Sequence, residues 1–249
     1  MLWLPDRRLY YPNPVPGVVA SQGAAAAAPP ALTEVSSAKT LRTTGADPWD
    51  DTVNIVAGNN RVLLVMFASE SSDLASVVLD PTGDAIALTA MTGTPQSFGT
   101  EFFFAYRLLE AAFPGTTGNK TLRIDWSSPA GGAVRIILLE NASQTLFSAG
   151  ANHDANTALT ITVTHPTDTF AAGSFVYSGC YAEDNGSPYT VAGDVTEVDD
   201  DQLATITDSW IFAKGTLGGA QATASGIFTR TNAGTVRKQG ITAVVEPVA

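Results

Sequence analysis

The chain has 249 residues with 45% apolar and 15% charged side chains and a net charge of −11. Average globular proteins carry roughly 25% charged residues, so this composition excludes a disordered polyelectrolyte and supplies enough apolar volume for a large core. Its single cysteine, Cys180, excludes an internal disulfide and a cysteine-built zinc site. No stretch approaches 18 consecutive apolar residues, the length that marks a membrane-spanning helix.

The charge is placed unevenly. Residues 136–213 contain 11 acidic residues and no Lys or Arg, while the rest of the chain has 13 basic against 13 acidic. Clustered Lys and Arg of the kind that follow a nucleic-acid backbone are missing, so no nucleic-acid partner is expected. The acidic window reads as a solvated outer face. A cation site within it is the sharper alternative.

The first 33 residues differ from the rest. Pro5, Pro12, Pro14, Pro16, Pro29 and Pro30 all fall within them, and Pro12-Asn-Pro-Val-Pro16 favours extended chain over helix or central strand. Trp3, Leu4, Leu9, Tyr10 and Tyr11 put large apolar groups on this segment, with Arg7 and Arg8 between them. Such groups need cover, so residues 1–33 are expected to be an arm that orders on a partner, with a disordered tail as the alternative. A secretory signal fits poorly, because Arg7-Arg8 is followed by prolines and not by an apolar run.

Residues 34–249 read as one β-sandwich domain. Residues 35–41 and 54–56 are weak strand candidates on either side of an acidic turn at 47–51. Arg61-Val-Leu-Leu-Val-Met-Phe67 is a short apolar run fenced by Gly58-Asn-Asn60 and Ser69-Glu-Ser-Ser72, which predicts a strand buried on both faces. Residues 75–79 lead to a turn at Asp80-Pro-Thr-Gly-Asp84, followed by strands at 86–89 and 100–109. In the latter, Phe102, Phe104, Tyr106 and Leu108 share one face.

Residues 121–126 alternate cleanly, with Leu122, Ile124 and Trp126 on the buried side. Residues 134–139 suit a central strand. Alternation at 159–164 and apolar runs at 170–177, 208–213, 223–229 and 240–245 complete about a dozen strands, with turns every 8–15 residues or so. No internal repeat is visible, and a single two-sheet body is expected.

The order of these motifs resembles a jelly-roll, lectin-like sandwich module of bacteriophage virion proteins and some bacterial surface proteins. The motifs are Asn60-Arg61-Val-Leu-Leu-Val, the Asp-Pro-Thr-Gly turn and Phe104-Ala-Tyr-Arg-Leu-Leu-Glu-Ala-Ala-Phe-Pro-Gly115. Thr-Leu-Arg-Ile-Asp-Trp126, Ser209-Trp-Ile-Phe-Ala-Lys-Gly and Gly240-Ile-Thr-Ala-Val-Val-Glu follow. The resemblance covers residues 54–247 and rests on hydrophobic pattern and turn placement. It implies an antiparallel all-β jelly roll and a structural, non-enzymatic role: a capsid decoration or cement subunit in the virion, without a cofactor. Its partners would be the major capsid protein or other virion subunits, as a homo-oligomer within the assembly. The alternative is a carbohydrate-binding, adhesin-like module of a phage tail or bacterial surface, stacking sugars on Trp49, Trp126, Tyr181 or Tyr189.

Catalytic candidates are few. His153 lies in the polar stretch 150–156 and His165 precedes a proline; neither stands near a nucleophile motif. Cys180 follows an apolar run and reads as a small buried residue. Asp199, Asp200 and Asp201 are the best calcium candidates, but the run lacks the spaced acids and glycine of a calcium loop. A solvated acidic turn is the plainer expectation there.

Overall fold

A computed structural model describes residues 29–70, 74–98, 101–128, 130–154, 159–165, 169–183, 188–203, 208–231 and 238–249. The first half of the chain holds β1 (Thr33–Ala46), β2 (Trp49–Ile55), β3 (Val62–Ser69), β4 (Leu74–Leu79), β5 (Ile86–Ala87), β6 (Thr89–Ala90), β7 (Gln96–Phe98), β8 (Glu101–Leu109), β9 (Gly118–Trp126) and β10 (Ala130–Glu140). The second half holds β11 (Ala142–Asp154), β12 (Thr160–His165), β13 (Phe175–Glu183), β14 (Tyr189–Gly193), β15 (Thr196–Leu203), β16 (Asp208–Thr216), β17 (Ala224–Arg230) and β18 (Lys238–Pro247). One 3-10 turn, Glu110–Ala112, is the only helical element among the described residues.

The fold is all-β and antiparallel, as the alternation predicts, but the described strands form four sheets where two are expected. Their orders are β1-β10-β3-β8-β6 with β7 on β8, β2-β9-β4-β5, β11-β18-β13-β16-β15, and β12-β17-β14. Three apolar clusters stack these sheets as layers. The β2-β9-β4-β5 layer packs on one face of the β3 sheet through Trp49, Leu122 and Trp126 against Phe67 and Phe104. The other face of the β3 sheet packs on the β13 sheet, with Met66, Phe103 and Ile137 meeting Tyr177, Tyr181 and Trp210. The β12-β17-β14 layer closes the far side through Ile161, Val163 and Phe228 against Val176 and Cys180.

The two middle sheets are therefore covered on both faces. That explains why every residue of β3 is buried and why its sequence is a continuous apolar run, whereas the outer strand β9 alternates between buried and half-exposed positions. Cys180 lies within β13 and is buried, a small residue filling the outer core.

The halves repeat one strand order. Matching β1, β10, β3, β8 and β6 to β11, β18, β13, β16 and β15 reproduces the middle sheet, and matching β2, β9 and β4 to β12, β17 and β14 reproduces the outer one. In each half the first and last strands lie side by side, and the chain crosses repeatedly between its two sheets. Register agrees as well. Val62 lies opposite Leu139 and Leu109, as Phe175 lies opposite Val245 and Thr216. Counting along from these anchors makes Glu140 equivalent to Glu246 and Phe103 equivalent to Trp210.

The two glutamates even keep a shared place. Glu246 accepts the Ala171 N–H at 2.8 Å, in the segment before β13. Glu140 packs on the segment before β3, so closely that a Cβ on Gly58 would stand 2.2 Å from its Oε1. The chain is one body made of two like sandwiches, and the expectation of an unrepeated two-sheet body is corrected accordingly.

Four strands escape the alternation rule. Residues 150–154, expected as loop, are the end of β11, which pairs His153 with Gln239 and Asp154 with Lys238 across the backbone. The acidic run at 199–201 is not a turn but the middle of β15, paired with β16. β7 and β14, of three and five residues, are too short to show a period.

Candidate functional site

A group of charged side chains lies along the seam where the two halves meet. β1 and β10 bring Lys39 and Arg135 to this edge, and β15 brings Asp199 and Asp201 from the other half. Lys39 Nζ donates to Asp199 Oδ1 at 3.0 Å and to Asp201 Oδ2 at 2.5 Å. Arg135 pairs with Asp199 Oδ2 and lays its guanidinium over the Phe212 ring, 4.7 Å from the centroid. Partial burial works against the charge on Lys39, but its hydrogen bonds to Asp201 and Asp199 outweigh that and hold its pKa above the ordinary lysine value.

A second set extends the same seam. Glu34 Oε2 accepts from the Tyr177 hydroxyl and from Lys214 Nζ, each at 2.7 Å. Lys214 also stands 4.6 Å over the Phe175 ring. Burial, with Glu34 beside it, pushes the Tyr177 phenol well above its ordinary pKa, so it stays a hydrogen-bond donor.

These contacts give two carboxylates of the acidic window their counter-ions. Residues 136–213 hold no cation of their own, and the counter-ions of Asp199 and Asp201 come from strands of the other half. The calcium candidates Asp199, Asp200 and Asp201 do not converge. Strand alternation sends Asp200 away from its neighbours, where its Oδ2 accepts the Tyr189 N–H at 2.8 Å. Among the described residues no group of three or more His, Cys, Asp or Glu side chains could hold a metal ion.

A third weld uses the arginine that opens β3. Arg61 forms a fork with Glu110, with Nη2 to Oε1 at 2.6 Å and Nε to Oε2 at 3.0 Å, and its backbone N–H donates to Oε2 at 2.6 Å. Its Nη1 donates to Val56 O at 2.7 Å, and its guanidinium sits 4.6 Å from the Phe113 ring centroid. The hydrogen bonds from Arg61 hold the Glu110 carboxyl below its ordinary pKa. Gln144, at the start of the second half, accepts the Glu110 N–H at 2.8 Å and donates to Arg61 O at 3.3 Å.

The remaining candidates are dispersed. His165 is buried, edge-on to Phe170 at 4.8 Å between centroids. His153 lies in β11, in register opposite Gln239. Trp49, Trp126, Tyr181 and Tyr189, the rings named for sugar stacking, are all at most 4% exposed. Trp49 and Trp126 pack on each other at 4.9 Å, and Tyr181 donates to Asp208 at 2.5 Å inside the core. Their aromaticity serves the cores, and they offer no stacking platform.

The arm residues Trp3, Leu4, Arg7, Arg8, Leu9, Tyr10 and Tyr11 lie outside the described residues. The root of the arm lies within them. Leu32 is buried in the core between the halves, and Ala31 O accepts from Asn141 Nδ2 at 3.0 Å. Around this root is an apolar groove of about 380 Å³, walled by residues 29–32, 172–173, Phe175, Thr216 and 247–248. No sequence motif announces it, because four separate segments build it.

The named seam carboxylates are each held by a cation, a phenol or a peptide N–H, an arrangement suited to welding two halves and not to moving a proton. No protein-family model matches the chain, and no curated protein matches it by sequence.

Proposed function

We propose that this chain is a non-enzymatic structural protein of a virion, a capsid decoration or cement subunit that grips neighbouring shell subunits with residues 1–33. On this reading each half is a jelly-roll sandwich, a description that the repeated strand order supports, and the four-layer body is the outward part. One observation carries the reading. The arm springs from a point locked into the core between the halves, with Leu32 buried and Ala31 held by Asn141, so tension on the arm passes directly into the body. Trp3, Leu4, Leu9, Tyr10 and Tyr11 would each contribute about 1.5–3 kcal/mol on burial against a partner, less the cost of ordering the arm. Arg7 and Arg8 would meet carboxylates there.

The test is particle binding by the full chain and by a variant with Trp3, Tyr10 and Tyr11 changed to Ser. The variant is expected to keep the circular-dichroism spectrum of the parent and to lose particle binding. Undiminished binding refutes the arm as the gripping element.

A further inference from the structure

The two halves treat one equivalent aspartate differently. Asp80 follows β4 and its N–H donates to Thr121 O, as Asp194 follows β14 and its N–H donates to Ser225 O. Register agrees, because Leu79 lies opposite Leu122 and Gly193 opposite Gly226. In the first half Lys120, one residue before Thr121, gives Asp80 Oδ2 an ammonium partner at 2.8 Å. In the second half the matching residue is Ala224. Among the described residues no cation pairs with Asp194. Its carboxylate accepts neutral donors, the Ser225 N–H at 2.8 Å and Gln221 Nε2 at 3.1 Å.

Asp194 stands in the wall of a hollow of about 380 Å³, together with Thr196, Leu217, Gly218 and Gln221. That volume falls within the roughly 300–1,000 Å³ of small-ligand sites. Both Gln221 Nε2 hydrogens are committed, one to Asp194 Oδ1 and one to Thr223 O at 2.6 Å. Its Oε1 is the atom left to bind, and it can only accept. The Thr196 hydroxyl gives its proton to Lys214 O at 3.2 Å and likewise keeps only acceptor capacity. Three side chains at one hollow call for donors, and one of them carries an unbalanced negative charge.

We propose that this hollow binds a small primary alkylammonium, whose charged head does for Asp194 what Lys120 does for Asp80. An ammonium matches the wall because it has three donors and no acceptor. Its hydrogen bond to a carboxylate is about twice as strong as a neutral one. Leu217 offers the methylene stem an apolar wall, as apolar surfaces do for lysine stems. Calcium suits the site less well. It takes about 6–8 oxygen ligands, carboxylates among them, and Asp194 is the single carboxylate of the wall.

Gly218 keeps the hollow open. Its φ lies outside the left-handed region, and a Cβ there would meet no atom beyond its chain neighbours within 4 Å. A larger side chain at this position is therefore a plug that leaves the fold alone.

The experiment titrates the full chain with n-butylammonium, which copies the lysine side chain, and follows the amide chemical shifts. Saturable shifts are expected at Asp194, Gly218 and Gln221, with none from 1-butanol at the same concentration. Asp194→Asn is expected to weaken binding at least tenfold. Gly218→Trp is expected to abolish it, and Gly218→Ala to leave it unchanged. The absence of saturable shifts, equal shifts with 1-butanol, or binding that survives Gly218→Trp at the parent melting temperature overturns the proposal. Calcium chloride that gives the same shifts and shuts the amine out makes the hollow a metal site, and overturns it too. A capped lysine that binds more tightly than n-butylammonium places the head on another protein's side chain, and overturns the small amine. Should Asp194→Asn fail to fold, the two Gly218 variants decide alone, because neither alters the hydrogen bonds of Asp194.

Discussion

Phe103 and Trp210 occupy equivalent positions in the two halves and stack on each other, with ring centroids 5.1 Å apart and planes 21° from parallel. Contact between equivalent residues is what an isologous dimer interface produces at its two-fold axis. Here the two partners are joined in one chain. The interface is also adjusted as a real dimer of identical units could not be. Gly179 makes room for Phe103, and a Cβ there would stand 2.3 Å from the ring, while its equivalent in β3 is Met66.

The first prediction follows from that stack. Replacing Trp210 or Phe103 with Ala is expected to cost about 3–5 kcal/mol, the usual range for a buried aromatic truncated to Ala. In a double-mutant cycle the pair is expected to retain a coupling of about 0.5–1.5 kcal/mol beyond buried area. Because the core between the halves is shared, denaturant unfolding followed by fluorescence and by circular dichroism is expected to give one coincident transition for the parent protein. Two separated transitions would mean that the halves fold independently.

The seam predicts an asymmetry between its partners. Asp199→Asn removes the carboxylate shared by Lys39 and Arg135 and leaves the guanidinium of Arg135, only 8% exposed, without its counter-charge. The expected loss is roughly 3–5 kcal/mol, the cost of stranding one member of a buried pair. Calcium added to the parent protein is expected to leave its melting temperature unchanged. A rise with calcium would mean that Asp199, Asp200 and Asp201 rearrange around the ion.

Acid should act through Glu110. Arg61 holds its carboxyl below the ordinary value, so the unfolded chain binds this proton more readily than the folded one. The stabilisation from the pair is therefore complete above the unfolded glutamate pKa of about 4.3 and is lost as pH falls through the lower folded value. Glu110→Gln is expected to be less stable than the parent at pH 7 and to show a flatter decline between about pH 5 and pH 2. Parallel stability curves for the two proteins in that range would refute the assignment.

Gln239 offers a change in the opposite direction. It is 1% exposed, and among the described residues neither Nε2 nor Oε1 has a hydrogen-bond partner. A buried amide left unsatisfied costs about 1–3 kcal/mol, and its equivalent in the first half is Ala133. Gln239→Met, of similar volume, is expected to raise the denaturation midpoint. A lowered midpoint would reveal that a bound water satisfies the amide.

Strand positions could be read from the sequence wherever burial was one-sided or complete. The alternation of Leu122, Ile124 and Trp126 marked β9, and the unbroken apolar run after Arg61 marked β3 as covered on both faces. What covers it was not readable, because period tells which face is buried and not how many layers follow. The repeat was hidden for a related reason. Pairs such as Met66 and Gly179, or Ala68 and Tyr181, conserve the volume of the interface jointly and not position by position, so the two halves share geometry with little shared spelling. The acidic run misled because a carboxylate in β15 looks solvated until its cation arrives from β1, some 160 positions earlier in the chain.

The chain passes from the first half to the second only once, at Asn141, whose φ of 57° turns β10 into β11. Beside that crossing the Ala142 N–H donates to Asn60 O at 3.0 Å, and the other contacts described above between the halves all involve a side chain. Cut at that residue, the protein becomes two fragments whose matching faces carry their own recognition code of stacked rings and crossed charges. Each fragment alone would expose a broad apolar sheet, and together they would make a split reporter whose reassembly can be followed by mixing.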